Sequence, residues 1–115
     1  MSWKIRFYET ARGDKPIEEF LLRLGNKERA KCLDYFDRLA EHGNSLPGNY
    51  IKYLQGGLWE LRPEFGGVEF RFFYFIVTAA GEIVILHAFK KKTQKTPERD
   101  LSLALKRMAE TKESE

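Results

Sequence analysis

Polar and apolar residues alternate from Trp3 to Tyr8, the period of a strand with one buried face. The pattern then changes. Ile17, Phe20, Leu21 and Leu24 recur at helical spacing behind Asp14-Lys15-Pro16, a start signal reinforced by Glu18 and Glu19 in the first turn. Gly25-Asn26 predicts a stop, with Asn26 as N-cap of a second helix that runs to about His42 and ends at Gly43. Two helices with so short a link predict a helical hairpin. Loop formers fill Asn44 to Asn49, and strand patterns follow. One is short, Tyr50–Gln55; Leu58–Arg62 and Val68–Thr78 are stronger, with Gly66-Gly67 at the turn between them; Glu82–Phe89 is the last. Thr96-Pro97 opens a closing helix with Leu101, Ala104, Leu105 and Met108 on one face, and the polar tail from Glu110 is expected to fray.

This order predicts an α+β fold in one domain spanning residues 1–115: a small antiparallel β-sheet, an N-terminal helical hairpin on one face, and a C-terminal helix. The hairpin can cover one sheet face only, so the other is expected to be available to a ligand. A chain of 115 residues buries roughly two-thirds of its unfolded surface, enough for one core. An apolar fraction of 43% and an aromatic fraction of 14% exclude disorder. Cys32 is the only cysteine, within a helical pattern with Leu33, Phe36 and Leu39, and reads as a core residue. It can form no intrachain disulfide, which fits a reducing, cytoplasmic compartment. No N-terminal signal is evident, and the longest uncharged stretch, Phe72 to Gly81, is about half of the roughly 20 residues a membrane helix needs. The expectation is a soluble protein with no membrane partner.

Charge sharpens the picture through its distribution. The net charge is only +3, but His87 to Arg99 holds Lys90, Lys91, Lys92, Lys95 and Arg99 against a single acid, Glu98. The rest of the chain is nearly neutral. One concentrated basic segment on a neutral body points to a local anionic partner. Metal chemistry has no support: one cysteine and two distant histidines, without HExxH or CxxC spacing, make no zinc ligand set. The glycine pairs lack the context of a phosphate loop, so no cofactor is expected. His42, beside Gly43, reads as a favourable residue at a helix C-terminus.

What remains is a basic and aromatic set in the strand-rich half. Arg71 lies among Phe70, Phe72, Phe73, Tyr74 and Phe75, where an arginine must be paired or face a groove. Two readings stand: an ion pair with Glu60 or Glu69, or a seat for phosphate, whose oxygens match guanidinium with two parallel bonds. Arg62, at a strand end, could join the second. His87 has a near-neutral reference pKa and could move protons, or could be a hydrogen-bonded structural residue. Lys90, Lys91, Lys92 and Lys95 suit phosphates or a solvated loop. Phe70, Phe72, Tyr74 and Ile76 form an apolar stripe, from which Tyr74, like Phe89, could instead stack on a base. The residues alone reach a basic, aromatic sheet face suited to a single-stranded polynucleotide, without distinguishing cutting from binding.

A resemblance adds a reaction. Leu58-Trp59-Glu60-Leu61-Arg62, then Glu69-Phe70-Arg71-Phe72-Phe73-Tyr74, then the run from Leu86-His87-Ala88-Phe89 through Lys90-Lys91-Lys92-Thr93-Gln94-Lys95 to Thr96-Pro97 resembles the HigB-like, phage-associated branch of the RelE/ParE toxin superfamily. The likeness is dense over about residues 50 to 110. It implies the toxin half of a toxin–antitoxin pair, silenced by a cognate antitoxin protein. Many such toxins cleave mRNA in the decoding site of the ribosome, with no metal and no cofactor. The implied reaction is attack by a ribose 2′-OH on its adjacent phosphate, which needs in-line alignment, charge stabilisation and two proton transfers.

On this resemblance Arg62 and Arg71 stabilise the phosphate, His87 is the candidate acid or base, and Lys90 is the lysine that could take part in proton transfer. Lys91, Lys92 and Lys95, with Phe89 and Tyr74, would hold the RNA. RelE-type relatives often carry a catalytic tyrosine after the basic segment, whereas Thr93 to Arg99 contains none, so the general base is open. The alternatives are a ParE-like toxin that inhibits gyrase and a non-catalytic nucleic-acid-binding module.

Overall fold

The computed structural model describes residues 2–114. Six strands and three α-helices follow in the order β1 (Lys4–Phe7), α1 (Pro16–Leu22), α2 (Asn26–His42), β2 (Ile51–Gln55), β3 (Leu58–Leu61), β4 (Glu64–Phe65), β5 (Val68–Val77), β6 (Glu82–Lys91) and α3 (Glu98–Glu113). The sheet order is β1-β6-β5-β3-β2, with β4 also paired to β5. The expected α+β architecture is present, and its neighbouring strands along the chain pair antiparallel. One pair departs from that: β1 lies parallel to β6, with Lys4 opposite Glu82. A strand separated from its partner by a helical hairpin and four other strands is joined to it by a crossover, which permits parallel pairing.

Local signals explain most boundaries. Pro16 occupies the first helical turn of α1, where its missing N–H costs nothing. The turn into α2 differs from the expected Asn26 cap: Gly25 is the N-cap and Asn26 is already helical. Gly25 N–H donates to the Glu28 carboxylate, and Arg29 donates to the carbonyls of Leu21, Leu22 and Leu24. One side chain thus caps carbonyls at and just beyond the end of α1. Pro97 likewise stands at the N-cap of α3, not inside its first turn. That helix runs to Glu113, beyond the expected fraying point at Glu110. The Tyr8 hydroxyl holds it by donating to the Glu110 carboxylate at 2.6 Å, and Thr111 is buried. β6 is also longer than its apolar run predicts, because Lys90 and Lys91 keep their pairing to Phe70 and Glu69.

The hairpin packs on one sheet face through edge-to-face rings: Phe36 against Phe7 and Phe72, and Phe20 against Phe70 and Phe72. The opposite face was expected to be free. Instead α3 lies over part of it, since Asp100 meets His87, Arg107 donates to the Leu86 carbonyl, and the Lys112 ammonium sits over the Phe75 ring. The reason lies in β5, where Phe70 to Phe75 are all buried, so both faces of its middle need cover. The end of this face around Arg71 and Lys91 has no contact with α3 of the kind made at His87, Leu86 and Phe75. No helix among the described residues is long and apolar enough to cross a membrane.

Gly43, which ends α2 at φ 56°, is pressed against Trp3, just before β1: a Cβ there would stand 2.7 Å from Trp3 Nε1. Gly43→Ala is therefore expected to cost about 1–3 kcal/mol, from a strained backbone and a displaced indole. In urea unfolding the midpoint should fall with the slope unchanged.

Candidate nucleic-acid interface

The placement of the site depends on one extra residue. Phe73 pairs with His87, but Tyr74 pairs with Ile85, so Leu86 is a bulge on β6. Side chains alternate faces along a strand, and paired residues share a face. Without the bulge His87 would follow Ile85 into the hairpin-side core. With it, His87 and Phe89 join Arg71 and Phe73 on the α3 side. Glu60, opposite Phe73, and Lys91, opposite Glu69, are on that side too.

Around Arg71 this face carries a desolvated charge cluster. Arg71 and Glu60 keep 3% and 2% of their side chains exposed and stand 3.8 Å apart, Nε to Oε1. Arg62, half-buried at the end of β3, faces the other Glu60 oxygen at 3.6 Å and donates to the Gly48 carbonyl. Arg71 Nη1 donates to the Phe70 carbonyl, and Nη2 donates to Glu69 Oε1. Both of the ion pairs that the sequence allowed for Arg71 are thus made. Pairing offsets the cost of burying these charges. Yet Glu60 Oε1, Arg62 Nε and Arg71 Nε remain buried without hydrogen-bond partners. A cleft of about 220 Å³ opens here, lined by Asn49, Arg62, Glu64, Glu69 and Arg71.

A larger groove, about 800 Å³, lies between the end of β1 and the end of α3. Its charged lining is Arg6 with Glu9, Glu110 and Glu113, which disfavours a polyanion. The small cleft beside the basic segment is the better candidate for one.

Among the residues singled out by sequence, Arg62, Arg71, His87, Phe89 and Lys91 come onto one face. Lys92 and Lys95 are exposed in the connection to α3. Two residues fall elsewhere. Lys90 is opposite Phe70, whose ring meets Phe20 on the hairpin side, so Lys90 leaves the sheet from the wrong face to join Arg71. Tyr74, considered as a stacking ring, is fully buried and donates its hydroxyl to Asn44 at 2.7 Å. Burial pushes its phenol well above its ordinary range. Its ring belongs to the core, because the period-two stripe it shares with Phe70 and Phe72 is the hairpin-facing one.

His87 is also less open than a free strand-end histidine. Only 14% of its side chain is exposed, its Nε2 lies 2.6 Å from Asp100 Oδ1, and its ring stacks beside Phe89 and contacts Phe73. Burial holds the imidazole pKa below its ordinary 6.5, and the Asp100 carboxylate opposes that shift without overcoming it. The neutral ring accordingly donates its Nε2 proton to Asp100. Asp100 was missed by the sequence reading. Its only local signal is an acid in the first turn of the last helix, which also suits the helix dipole.

The family model described as phage-derived protein Gp49-like (DUF891) matches residues 19–109. No curated protein matches the sequence. Among solved structures, a mutant of the Escherichia coli toxin RelE in the free state superposes with a TM-score of 0.64 at 16% identity, covering 93% of this chain and 98% of that one. A chain of the toxin–antitoxin complex RelBE2 from Mycobacterium tuberculosis gives 0.56 at 22% identity, covering 79% of this chain and 100% of that one. At these identities the likeness establishes the fold.

The buried imidazole makes stability depend on pH. Its folded pKa lies below its unfolded one, so the unfolded chain takes up the proton first as pH falls. This contribution is complete above about pH 6.5 and is lost as pH drops from there through the folded pKa. The thermal midpoint of the parent should therefore fall on acidification over that window. His87→Gln should remove this component of the slope, and unchanged slopes in the two proteins would count against the assignment.

Proposed function

We propose that this chain, which belongs to the Gp49-like family of phage-derived proteins and has the RelE fold, is the toxin of a toxin–antitoxin pair and cleaves mRNA. The observation that carries the reading is the convergence of Arg62 and Arg71 on one small cleft, with Lys91 on the same sheet face and Lys92 and Lys95 exposed just beyond. A row of cations leading to paired guanidiniums suits a phosphodiester chain held at one phosphate.

In this mechanism the ribose 2′-oxygen attacks the adjacent phosphorus as it loses its proton. The bond from phosphorus to the 5′-oxygen breaks, that oxygen takes up a proton, and a 2′,3′-cyclic phosphate remains. No metal or organic cofactor takes part. Arg62 and Arg71 stabilise the added charge on the phosphate oxygens. His87 moves a proton through Nδ1, while Asp100 fixes the ring from Nε2. Lys91, Lys92 and Lys95 hold the backbone, and Phe89 offers a ring beside His87. Lys90, expected to assist in proton transfer, is left a backbone contact at most, because it stands on the other face. The modest, partly covered catalytic set favours a substrate already extended and aligned, as mRNA is on a translating ribosome, and hence action in the cytoplasm. A cognate antitoxin protein silences the chain.

A second reading has a specific observation behind it. Both Nη atoms of Arg71 are held by its own chain and His87 is covered by α3, which is also what a non-catalytic toxin or binding module would show. A ParE-like gyrase inhibitor falls in that class.

Induced expression with mapping of new mRNA ends separates these. The parent should create 5′-OH ends within translated frames, and Arg71→Ala should lower their yield by about 100-fold or more. Arg62→Ala, at a half-exposed position, is the companion variant should Arg71→Ala fail to fold. Growth arrest without new ends would sink the nuclease reading and turn attention to gyrase.

A further inference from the structure

The cleft already contains an anion of its own. Arg71 makes three contacts: to the Phe70 carbonyl, to buried Glu60, and to Glu69. Only Glu69 is a half-exposed partner, at 46% of its side chain against 3% for the arginine. A carboxylate and a phosphate present similar oxygen pairs to a guanidinium. The Glu69 carboxylate thus stands where an incoming phosphate would have to stand.

We propose that Glu69 is a resident competitor for the phosphate seat of Arg71, and that RNA binds by displacing it. The proposal rests on the reading of this cleft as the RNA site. Its neighbours support an exchange. Lys91 is the cross-strand partner of Glu69 on β6, on the same face, and offers a second cation for the displaced carboxylate. Glu64 is opposite Glu69 on β4, and two like charges directly across a ladder repel. Glu69 therefore has one cation within its own strand, another on the strand beside it, and an acid on its remaining flank. Arg71 cannot follow it out, because Phe70 and Glu60 hold the guanidinium from within.

Such a device sets a threshold. A free phosphate ion must compete with a carboxylate tethered two residues away, at high effective concentration. A polynucleotide already held by Lys91, Lys92 and Lys95 presents its next phosphate under the same advantage. The seat is thereby reserved for a chain of phosphates over a single one.

The test measures binding of this chain to a ten-residue oligouridylate across a salt series, for the parent, Glu69→Gln, Glu69→Ala, Glu9→Gln and Arg71→Ala. Glu69→Gln should tighten binding about three- to fivefold, the worth of a half-exposed pair. Freeing Arg71 for one more phosphate should steepen the log–log salt slope by about 0.7. Glu9→Gln removes the same charge in the groove between β1 and α3, away from Arg71, and should change affinity less than about twofold and leave the slope alone. Glu69→Ala should act in the same direction as Glu69→Gln, which separates loss of the carboxylate from any new amide contact. If Arg71→Ala weakens binding while Glu69→Gln leaves it equal or weaker, Glu69 supports Arg71 and the competitor idea falls alone. If neither substitution changes binding, the RNA reading of the cleft falls with it.

Discussion

The central strand is apolar on both faces, and most of the architecture answers that constraint. Phe70, Phe72 and Tyr74 point one way, Phe73 and Phe75 the other, and neither set can be left in water. The helical hairpin serves the first set. The second needs a layer of its own, which α3 supplies from the far end of the chain. An arginine in the same strand is tolerable only where this double cover ends and where acids are at hand. Glu60 and Glu69 meet that need, one buried and one at the margin. The charged cleft is thus what remains of a sheet face after the core has taken its share.

The bulge at Leu86 then decides which side chains share that remnant. A one-residue insertion reverses the facing of every later position on β6. It sends Lys90 away from Arg71, brings His87 to Asp100, and sets Lys91 beside Glu69. Arg107 donates to the carbonyl of Leu86 itself, so the irregular backbone is held by the helix that covers it. Bulge and helix are mutually dependent, and the facing of His87 follows from both.

Much of the fold was legible from periodicity. The first strand, both hairpin helices and the two long strands sit within a residue or two of where their patterns place them, because each is a sustained periodic or apolar run bounded by turn residues. The misreadings have local causes. β4 is two residues long, Glu64-Phe65, too short to carry any period. The tail beyond Glu110 is polar and looks frayed, yet a tyrosine one hundred residues away holds it. Site residues were legible as types and less so as partners. Arg71 declared itself by its apolar surroundings, and its two acids were among the few within reach. Asp100 and the facing of Lys90 depend on how a helix docks and where a ladder slips, and neither leaves a trace in composition.

The parallel pairing of β1 with β6 has a kinetic side. β1 pairs with a strand that follows it only after the hairpin and four other strands, and Tyr8 reaches further along the chain still, to Glu110. Contacts this distant in sequence slow folding and postpone closure of the sheet until β6 has been made. The arginines, the imidazole and its carboxylate are drawn from the same late half of the chain. The site is therefore assembled only when β6 and α3 are both in place, and a copy that stops before Asp100 lacks the carboxylate that holds the imidazole.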